Sequence, residues 1–274
     1  MRQWGRAWRL IYDLPTRHGA ENMAIDEAIM ESVSSEAQPP TLRLYGWHPP
    51  CVSLGYGQRA SAVDQERLAQ FGWDLVRRPT GGRAILHVDE LTYSLSFPAD
   101  HPLAAGGVLE SYRRISEGLM DGMRRLALDT AFSDADMHEK SISPVCFDQP
   151  GRFEITFGGR KLIGSAQLRR QQAVLQHGTL PLTGDIARLC QVLRYPDEDA
   201  RSQDILHVRQ QALTLADAAE REVQWREAAD ALAEGMAYAL HADMHAEPLS
   251  AAELERAHQI ETERYADDGW TFRR

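Results

Sequence analysis

Five short runs rich in apolar residues between residues 41 and 97 constrain the fold most strongly, because turn-forming residues separate them. The runs are residues 41–45, 52–56, 74–77, 84–87 and 91–97. Pro49-Pro50 and Gly81-Gly82 interrupt them, which is typical of strands joined by tight turns. The periodicity predicts a helix over 22–30 before the runs and a second helix over about 108–126 after them.

The second half of the chain predicts three further strands and then helices. The strands are residues 153–157, 162–168 and 173–182, and Gly158-Gly159 joins the first two. The predicted helices are residues 185–193, 215–240 and 250–265. This order indicates an α+β fold, a mixed β-sheet core with surrounding helices. We expect one catalytic domain over residues 1–274, with a helical C-terminal part from about residue 197, after the polar break at 195–199.

Composition excludes several functions. The net charge of −10 argues against a nucleic-acid partner. No stretch approaches the roughly 20 apolar residues of a membrane span, and no apolar signal region follows the N-terminal charges, so we expect a cytoplasmic protein without a membrane partner. The 3 cysteines are an odd number without paired spacing. They predict neither a disulfide framework nor a metal site.

Lysine is nearly absent from the chain. Only Lys140 and Lys161 occur among the 30 basic residues, and the others are arginine. Lys161 stands next to Arg160 and close to Gly158, Gly159 and Gly164. A buried ammonium can release its proton, whereas a guanidinium in a protein cannot. Lys161 is therefore predicted to transfer a proton or to place a compact charge in a tight pocket, and Lys140 to be a surface residue.

The segment from Arg77 to Gly82 contains two arginines, proline, threonine and two glycines. Paired glycines allow backbone amides to approach a ligand closely, and neighbouring arginines hold phosphate or carboxylate groups. A hairpin turn with two glycines is also common in proteins without such a role. The spacing alone leaves both interpretations open.

Cys146 differs from the other two cysteines in its surroundings. Cys51 begins an apolar strand and Cys190 falls on a predicted helix, so both are predicted to be small core residues. Cys146 lies between Pro144 and Pro150, in a loop that leads to the strand carrying Glu154. Loops held by rigid flanks often carry reactive groups, and a nearby cation activates a thiol. We expect the 153–168 hairpin to bring Lys161 towards this loop.

These segments resemble the lipoate–protein ligase and octanoyltransferase superfamily, and most closely its LipM-type branch. The matching stretches cover nearly the whole chain and are residues 22–28, 43–47, 55–56, 77–87, 90–94, 145–148, 159–161, 164–167, 176–178 and 263–270. The arginine–glycine turn and the lysine motif are specific to the superfamily. The cysteine within 145–148 is specific to the LipM-like branch.

The resemblance implies a fold similar to the class II aminoacyl-tRNA synthetase and biotin–lipoate ligase catalytic core. It implies transfer of an octanoyl group from acyl carrier protein to a lysine of a lipoyl-domain protein, such as the glycine cleavage H protein. Cys146 would carry the acyl thioester and Lys161 would lower its pKa. No cofactor and no ATP are expected, because a thioester donor is already activated. The substrate-binding candidates are Arg78, Gly81, Gly82, His87, Gly164, Ser165 and His177.

The chain departs from the superfamily at one position and leaves other functions open. Where the superfamily usually has His-Asp, this chain has His87-Val88-Asp89, so the role of Asp89 is in doubt. One alternative is an ATP-dependent lipoate or octanoate ligase, although Arg83 stands where ligases tend to have a third glycine. Others are an amidotransferase between lipoyl domains and a catalytically silent binding protein.

Two surfaces complete the expectations. The slot for the acyl tail is predicted around Ile85, Leu86 and Tyr93. A local basic surface for acidic partners is predicted at Arg77, Arg78, Arg83, Arg169 and Arg170.

Overall fold

The computed structural model describes residues 5–133, 154–170 and 172–274, and its strands form two sheets. In chain order the strands are β1 (Ala7–Arg17), β2 (Thr41–Trp47), β3 (Cys51–Leu54), β4 (Asp74–Arg77), β5 (Ile85–His87), β6 (Glu90–Pro98), β7 (Ala131–Phe132), β8 (Ile155–Phe157), β9 (Arg160–Arg170), β10 (Ala173–Pro181) and β11 (Asp243–Ala246). Within the described residues, the larger sheet has 8 strands in the order β11-β1-β2-β6-β10-β9-β8-β7. Its β1 runs parallel to β2 and β11, and the other pairs are antiparallel.

Helices cover both faces of the larger sheet. They are α1 (Gly19–Ser34), α2 (Gln65–Phe71), α3 (Gly107–Arg125), α4 (Glu198–Gln211), α5 (Leu215–Ala219), α6 (Trp225–Ala239), α7 (Ala251–Ile260) and α8 (Asp268–Thr271). The predicted mixed sheet with surrounding helices is confirmed. None of the described helices is long and apolar enough to cross a membrane.

Strand β6 explains the layering, since its residues alternate in character. Leu91, Tyr93 and Leu95 belong to the main apolar core together with residues of α3 and α6. Successive side chains of a strand point to opposite faces, so Glu90, Thr92 and Ser94 all lie on the other face. On that second face lie α1 and the smaller sheet, in which β3 pairs with β4 in parallel and with β5 in antiparallel orientation.

The glycine hairpin before Lys161 is confirmed. Strands β8 and β9 pair in antiparallel fashion, and Gly158 and Gly159 have φ angles of 57° and 79°. This left-handed region favours glycine, because a Cβ atom crowds the backbone there. The turn brings Lys161 back beside Thr156, which it opposes in the ladder.

Two of the predicted helices are wrong. The helix predicted over 215–240 is split into α5 and α6, because Glu220 adopts a left-handed φ of 52°. The helix predicted over 185–193 is only one 3₁₀ turn, Arg188–Gln191. The Asp185 side chain there accepts a hydrogen bond from the Ala187 N–H and so competes with helix formation.

The sequence patterns did not predict β1, α2, β7, α4, β11 or α8. The polar break at 195–199 contains the start of α4. The Asp197 side chain caps that helix by accepting from the Ala200 N–H. The runs at 52–56, 74–77 and 84–87 belong to the separate three-stranded sheet and not to the main one.

Candidate active site

A pocket of about 110 Å³ lies between the polar face of the main sheet and the smaller sheet. All seven predicted substrate-binding residues line it, although they come from distant parts of the chain: Arg78, Gly81, Gly82, His87, Gly164, Ser165 and His177. The remaining lining includes Met23, Tyr45, Trp47, Ile85 and Glu154. Its walls combine apolar and aromatic surface with a few polar groups, as small-molecule sites usually do.

Arg78 holds the glycine turn in shape. Its guanidinium donates hydrogen bonds to the carbonyl oxygens of Ser53 (2.8 Å), Gly81 (2.9 Å) and Arg83 (2.7 Å). The side chain is only 3% exposed. The N–H groups of Arg78 that could bind a phosphate or carboxylate therefore donate to backbone carbonyl oxygens. The purely structural interpretation of this arginine is the one its contacts support.

Gly55 and Gly82 pack directly against each other beside this turn. A Cβ atom on Gly55 would overlap the Gly82 carbonyl, and Gly82 has a left-handed φ of 95°. Both positions thus require glycine, one for close approach and one for backbone conformation. Gly81 has open space around its Cα on the pocket side.

Arg77 fastens the C-terminal segment to this region. It is fully buried, and its guanidinium donates to the carbonyl oxygens of Thr271 (2.8 Å), Gly55 (2.8 Å) and Gln58 (2.6 Å). The Trp270 indole donates to the Arg77 carbonyl at 2.8 Å. Buried Arg77 and Arg78 contribute no docking charge, so this part of the predicted basic surface is wrong.

Lys161 is buried next to Glu154, one of the residues that line the pocket. It is 1% exposed, and its Nζ lies 2.7 Å from Glu154 Oε1. The prediction that Lys161 differs from an ordinary solvated lysine is confirmed by this burial.

Asp26 lies behind the pocket and connects several motif residues. Its Oδ1 accepts from Arg43 (2.8 Å) and Ser94 (2.8 Å), and its Oδ2 accepts from Tyr45 (2.9 Å). His177 Nδ1 lies 3.4 Å from the same Oδ2. This network fixes the His177 ring, whose Nε2 is 2.7 Å from the Thr80 hydroxyl at the glycine turn.

The charge states of this pair follow from burial and from Arg43. Burial lowers the pKa of His177 by more than Asp26 raises it, so the imidazole is neutral at neutral pH. Burial also raises the pKa of Asp26, but the His177 hydrogen bond and the Arg43 charge outweigh it and bring the pKa below its usual value. Asp26 is therefore an ionised structural carboxylate, and His177 a neutral pocket wall.

His87 is held on three sides. Its Nε2 is 2.7 Å from the Ser53 hydroxyl, its Nδ1 is 2.9 Å from Glu90 Oε1, and its ring stacks on Trp47 with centroids 3.9 Å apart. Glu90 thus supplies the carboxylate next to His87. Asp89 does not, because it turns the chain at a φ of 49° and pairs with Arg188 at 2.8 Å.

Gly178 allows strands β9 and β10 to pack against Tyr93. A Cβ at Gly178 would lie 2.5 Å from the Gly164 carbonyl and 2.6 Å from the Tyr93 ring. The Tyr93 hydroxyl is 2.6 Å from Ser165 Oγ, and burial raises the pKa of Tyr93 to about 12. Tyr93 belongs to the main apolar core on the opposite face of the sheet, and it is not among the residues that line the pocket. Of the predicted acyl slot only Ile85 lines it.

Cys51 and Cys190 are both unreactive core residues, as predicted. Both are buried, and burial raises the pKa of Cys51 well above its usual value and that of Cys190 to about 11. Cys146 and Lys140 lie outside the described residues. The chain leaves the described part at Ser133 and re-enters it at Glu154, and these two residues share a 2.9 Å backbone hydrogen bond.

The sequence reading missed Asp26, Arg43, Ser53, Glu90 and Glu154 as parts of the site. One signal was present for Arg43 and Glu90, since polar residues alternate with apolar ones along β2 and β6. A polar residue at every second position of a buried strand indicates a polar interior. Which charges pair across that interior depends on strand order, which the spacing did not give.

Comparison with known proteins places these features in one family. The family model described as the lipoyl protein ligase A/B catalytic domain matches residues 18–237. The octanoyltransferase LipM of Kyrpidia tusciae is 43% identical, with 98% of this chain and 100% of the relative covered. LipM of Bacillus subtilis is 37% identical over 97% of this chain and 98% of its own.

Solved structures show the same fold. The bipartite lipoate protein ligase of Thermoplasma acidophilum, described with its E2 lipoyl domain, superposes with a TM-score of 0.82 at 25% identity and covers 97% of this chain and 96% of its own. A lipoate-protein ligase A bound with ATP has a TM-score of 0.81 at 26% identity, covering 97% and 98%.

Proposed function

The chain belongs to the lipoyl protein ligase A/B catalytic domain family and to its LipM octanoyltransferases, and from this premise we propose a two-step, ATP-independent mechanism. It is an octanoyltransferase of lipoate biosynthesis. In our proposal the donor is octanoyl-acyl carrier protein, Cys146 carries the acyl group as a thioester, and a lysine of a lipoyl-domain protein such as the glycine cleavage H protein receives it.

One observation carries this proposal, the convergence of the seven predicted substrate-binding residues on one pocket beside the Lys161–Glu154 pair. The two described cysteines are buried with raised pKa values, which supports Cys146 as the proposed nucleophile. Ser133 and Glu154, which flank the segment containing Cys146, meet at that same pair.

Lys161 would act on the sulfur and on the transferred protons. A cation near a thiol favours the thiolate, which attacks the donor thioester and releases the carrier thiolate. Lys161 donates a proton to that leaving group and, once neutral, accepts a proton from the acceptor amine. Glu154 holds the ammonium in place at 2.7 Å and keeps the buried charge paired.

The energetics of this sequence need no nucleotide. The first step exchanges one thioester for another and is nearly isoenergetic, while the second forms an amide and is downhill. An octanoyl tail has six methylenes, and burial of each contributes about 0.8 kcal/mol, or roughly 5 kcal/mol in total. Apolar surface from Met23, Ile85 and Trp47 lines the pocket that would receive it.

The deciding experiment is the intact mass of the protein after incubation with octanoyl-acyl carrier protein without ATP and magnesium. We expect one octanoyl adduct that neutral hydroxylamine removes. Cys146→Ser should abolish the adduct, whereas the control Cys190→Ala should retain it. An adduct mapped to Cys51 or Cys190 would contradict the assignment.

Two further substrates separate the remaining alternatives. Formation of octanoyl-adenylate from octanoate and ATP would support a ligase, whose fold this chain shares. Faster transfer from an octanoylated lipoyl domain than from the carrier protein would support an amidotransferase. We expect neither with this chain.

A further inference from the structure

A groove of about 560 Å³ shares Trp47 with the acyl pocket as a common wall. It is formed at the ends of β1 and β2, the turn between β5 and β6, the segment after β10 and the start of α6. Its lining includes Thr16, Gly46, Val88, Thr183 and Trp225. The groove is open to the surface, and the exposed side chain of Leu14 lies at its rim.

Glu90 lines this groove and has one carboxylate oxygen without a hydrogen-bond partner among the described residues. Its side chain lines the groove and is 7% exposed as a residue. Oε1 accepts from His87 and Thr92, whereas Oε2 is buried and has no hydrogen-bond partner among the described residues. A buried carboxylate oxygen without a donor is costly, so this atom is suited to a ligand that brings a positive donor.

The charges around the groove favour a cation. Asp89, Glu90 and Glu222 line it, against Arg226 alone. Asp89 pairs with Arg188 at 2.8 Å and Arg226 pairs with Asp230 at 3.0 Å, so the carboxylates of Glu90 and Glu222 set the charge of the groove. A carrier-protein arm brings a phosphate and neutral amides, whereas an acceptor brings a lysine ammonium. Charge complementarity therefore selects the acceptor for this groove.

The groove lies at the same end of the main sheet as Lys161. On β10, Thr179 is opposed by Thr92 on one side and by Gly164 on the other. Glu90 precedes Thr92 on β6 and Lys161 precedes Gly164 on β9, so both lie towards the same end of the sheet. The Leu213 N–H donates to the Lys161 carbonyl, and the Ala216 N–H to the Leu182 carbonyl at the groove.

We propose that this groove admits the acceptor lysine and that Glu90 Oε2 accepts a hydrogen bond from its ammonium before attack on the acyl-enzyme. The inference rests on the proposed function, since it needs an acyl-enzyme to be attacked. His87 and Thr92 hold Oε1, which leaves Oε2 as the acceptor for the lysine. Neutral Lys161 takes the first proton, so that the free amine can attack the thioester. The departing Cys146 thiolate takes the second proton when the amide forms.

The test compares two nucleophiles on one preparation of octanoylated enzyme. Apo lipoyl domain and hydroxylamine are each mixed with wild-type or Glu90→Gln acyl-enzyme, and the rate of loss of the adduct is measured against concentration. Glutamine keeps the shape and an acceptor oxygen for His87 but removes the charge. Dividing one rate by the other cancels any disturbance of the acyl site.

We expect Glu90→Gln to raise the half-saturating lipoyl domain concentration at least about 10-fold, since hydrogen bonds to charged groups are strong. At a low lipoyl domain concentration, the ratio of the lipoyl domain rate to the hydroxylamine rate should fall by the same factor. An unchanged ratio would overturn the inference. That result remains distinct from failure of the proposed function, in which wild-type protein would form no hydroxylamine-sensitive adduct.

A second pair of variants tests the groove if Glu90→Gln cannot be acylated. Thr183 is exposed and lines the groove, so Thr183→Arg adds a cation and Thr183→Glu adds an anion. We expect the half-saturating lipoyl domain concentration to be highest for Thr183→Arg, intermediate for wild type and lowest for Thr183→Glu. Equal values would overturn the proposal. So would a Thr183→Arg variant that slows acylation by the carrier protein instead, because the groove would then admit the donor.

Discussion

The two faces of the main sheet use the same strands for opposite purposes. On β6, Leu91, Tyr93 and Leu95 pack into the apolar core under α3 and α6, while Thr92 and Ser94 face the pocket. On β2, Leu44 is in the core while Arg43 is buried among carboxylates on the pocket face. Hydrophobic burial needs only area and shape, whereas each buried charge needs a specific partner.

This difference separates fold from function. On the apolar face a smaller side chain leaves a cavity, and the loss is felt as stability. On the polar face a change leaves a partner charge without its counterpart and also moves a group that touches the pocket. Substitutions on the first face should therefore lower stability alone, and substitutions on the second should alter stability and catalysis together.

The largest effect on catalysis is expected for Lys161. Lys161→Ala removes the cation beside Glu154, and we expect the rate of octanoyl transfer to fall at least ~100-fold, as for loss of a general acid–base. Lys161→Arg should not restore it, because guanidinium is larger, planar and permanently charged. Steady-state transfer to a lipoyl domain measures both.

Arg160→Ala is the matched control, since Arg160 is exposed and adjacent. In Lys161→Ala the pKa of the Cys146 thiol should also rise, as read from the pH dependence of iodoacetamide alkylation, because the nearby cation is gone. Near-wild-type turnover in Lys161→Arg would show that the site needs only positive charge.

The next comparison sets Arg43 against Leu95, one residue from each face. Arg43→Met removes the buried guanidinium that Asp13 and Asp26 share, so Asp13 keeps Arg17 and Asp26 keeps only neutral donors such as Tyr45. We expect a loss of about 3–5 kcal/mol in the free energy of unfolding. Leu95→Ala should cost about 2–5 kcal/mol through the cavity it creates. Urea unfolding measures both losses.

Kinetics at a temperature where both variants remain folded then separates the two faces. Arg43→Met should lower transfer because Asp26 also positions His177, while Leu95→Ala should leave the Michaelis constant for the acyl donor close to wild type. Equal kinetic losses in the two variants would remove the distinction between the faces.

The apolar face was largely predictable from sequence and the polar face was not. The short apolar run at 91–97 predicted the strand, and Gly158-Gly159 predicted the hairpin, because both signals are local. Arg78 shows the limit. Its place beside two glycines left an anion site and a structural turn both open, and its donors go to backbone carbonyls. A guanidinium satisfies either kind of acceptor, and only the path of the chain decides which is near.

The partners of Lys161 and His87 were unpredictable for a related reason. Glu154 is 7 residues before Lys161 but meets it through the bulged β8–β9 pairing. Glu90 lies only 3 residues after His87, and it replaces Asp89 because the left-handed turn at Asp89 directs that carboxylate outward to Arg188. Register irregularities and single left-handed residues leave no periodic trace in a sequence.

Two buried histidines extend the comparison to pH. His101 packs against the rings of Trp8 and Phe97 beside the apolar core, and burial lowers its pKa to about 4. His177 faces the pocket, and burial lowers its pKa as well. The unfolded chain has histidine pKa values near 6.5 and so binds more protons than the folded one.

Stability from these groups is therefore complete above about pH 6.5 and is lost as the pH falls towards about 4, by up to ~3 kcal/mol for His101. His101→Asn and His177→Gln should each flatten this slope in urea unfolding at several pH values. Only His177→Gln should also change transfer kinetics at neutral pH. An unchanged slope in both variants would contradict neutral buried imidazoles.

The smallest effect on catalysis is expected at the edge of the polar face. In the structure, fewer arginines are available there than the sequence predicted for the basic surface. Arg77 and Arg78 are buried and Arg170 pairs with Glu27, so exposed Arg169 and half-buried Arg83 remain. An exposed charge contributes little to the stability of the fold, and salt screens its attraction for a docking partner.

Arg169→Ala should raise the Michaelis constant for an acidic carrier protein about 2- to 5-fold at low salt, with kcat unchanged, because it weakens steering and not chemistry. Arg6→Ala is the control, since Arg6 is exposed near β11, at the opposite end of the sheet order from β9. The difference between the variants should vanish near ~0.5 M salt, where screening limits charge interactions to a range of only a few ångströms. A lowered kcat, or a difference that persists at high salt, would place Arg169 in the site itself and extend the polar face to the edge of β9.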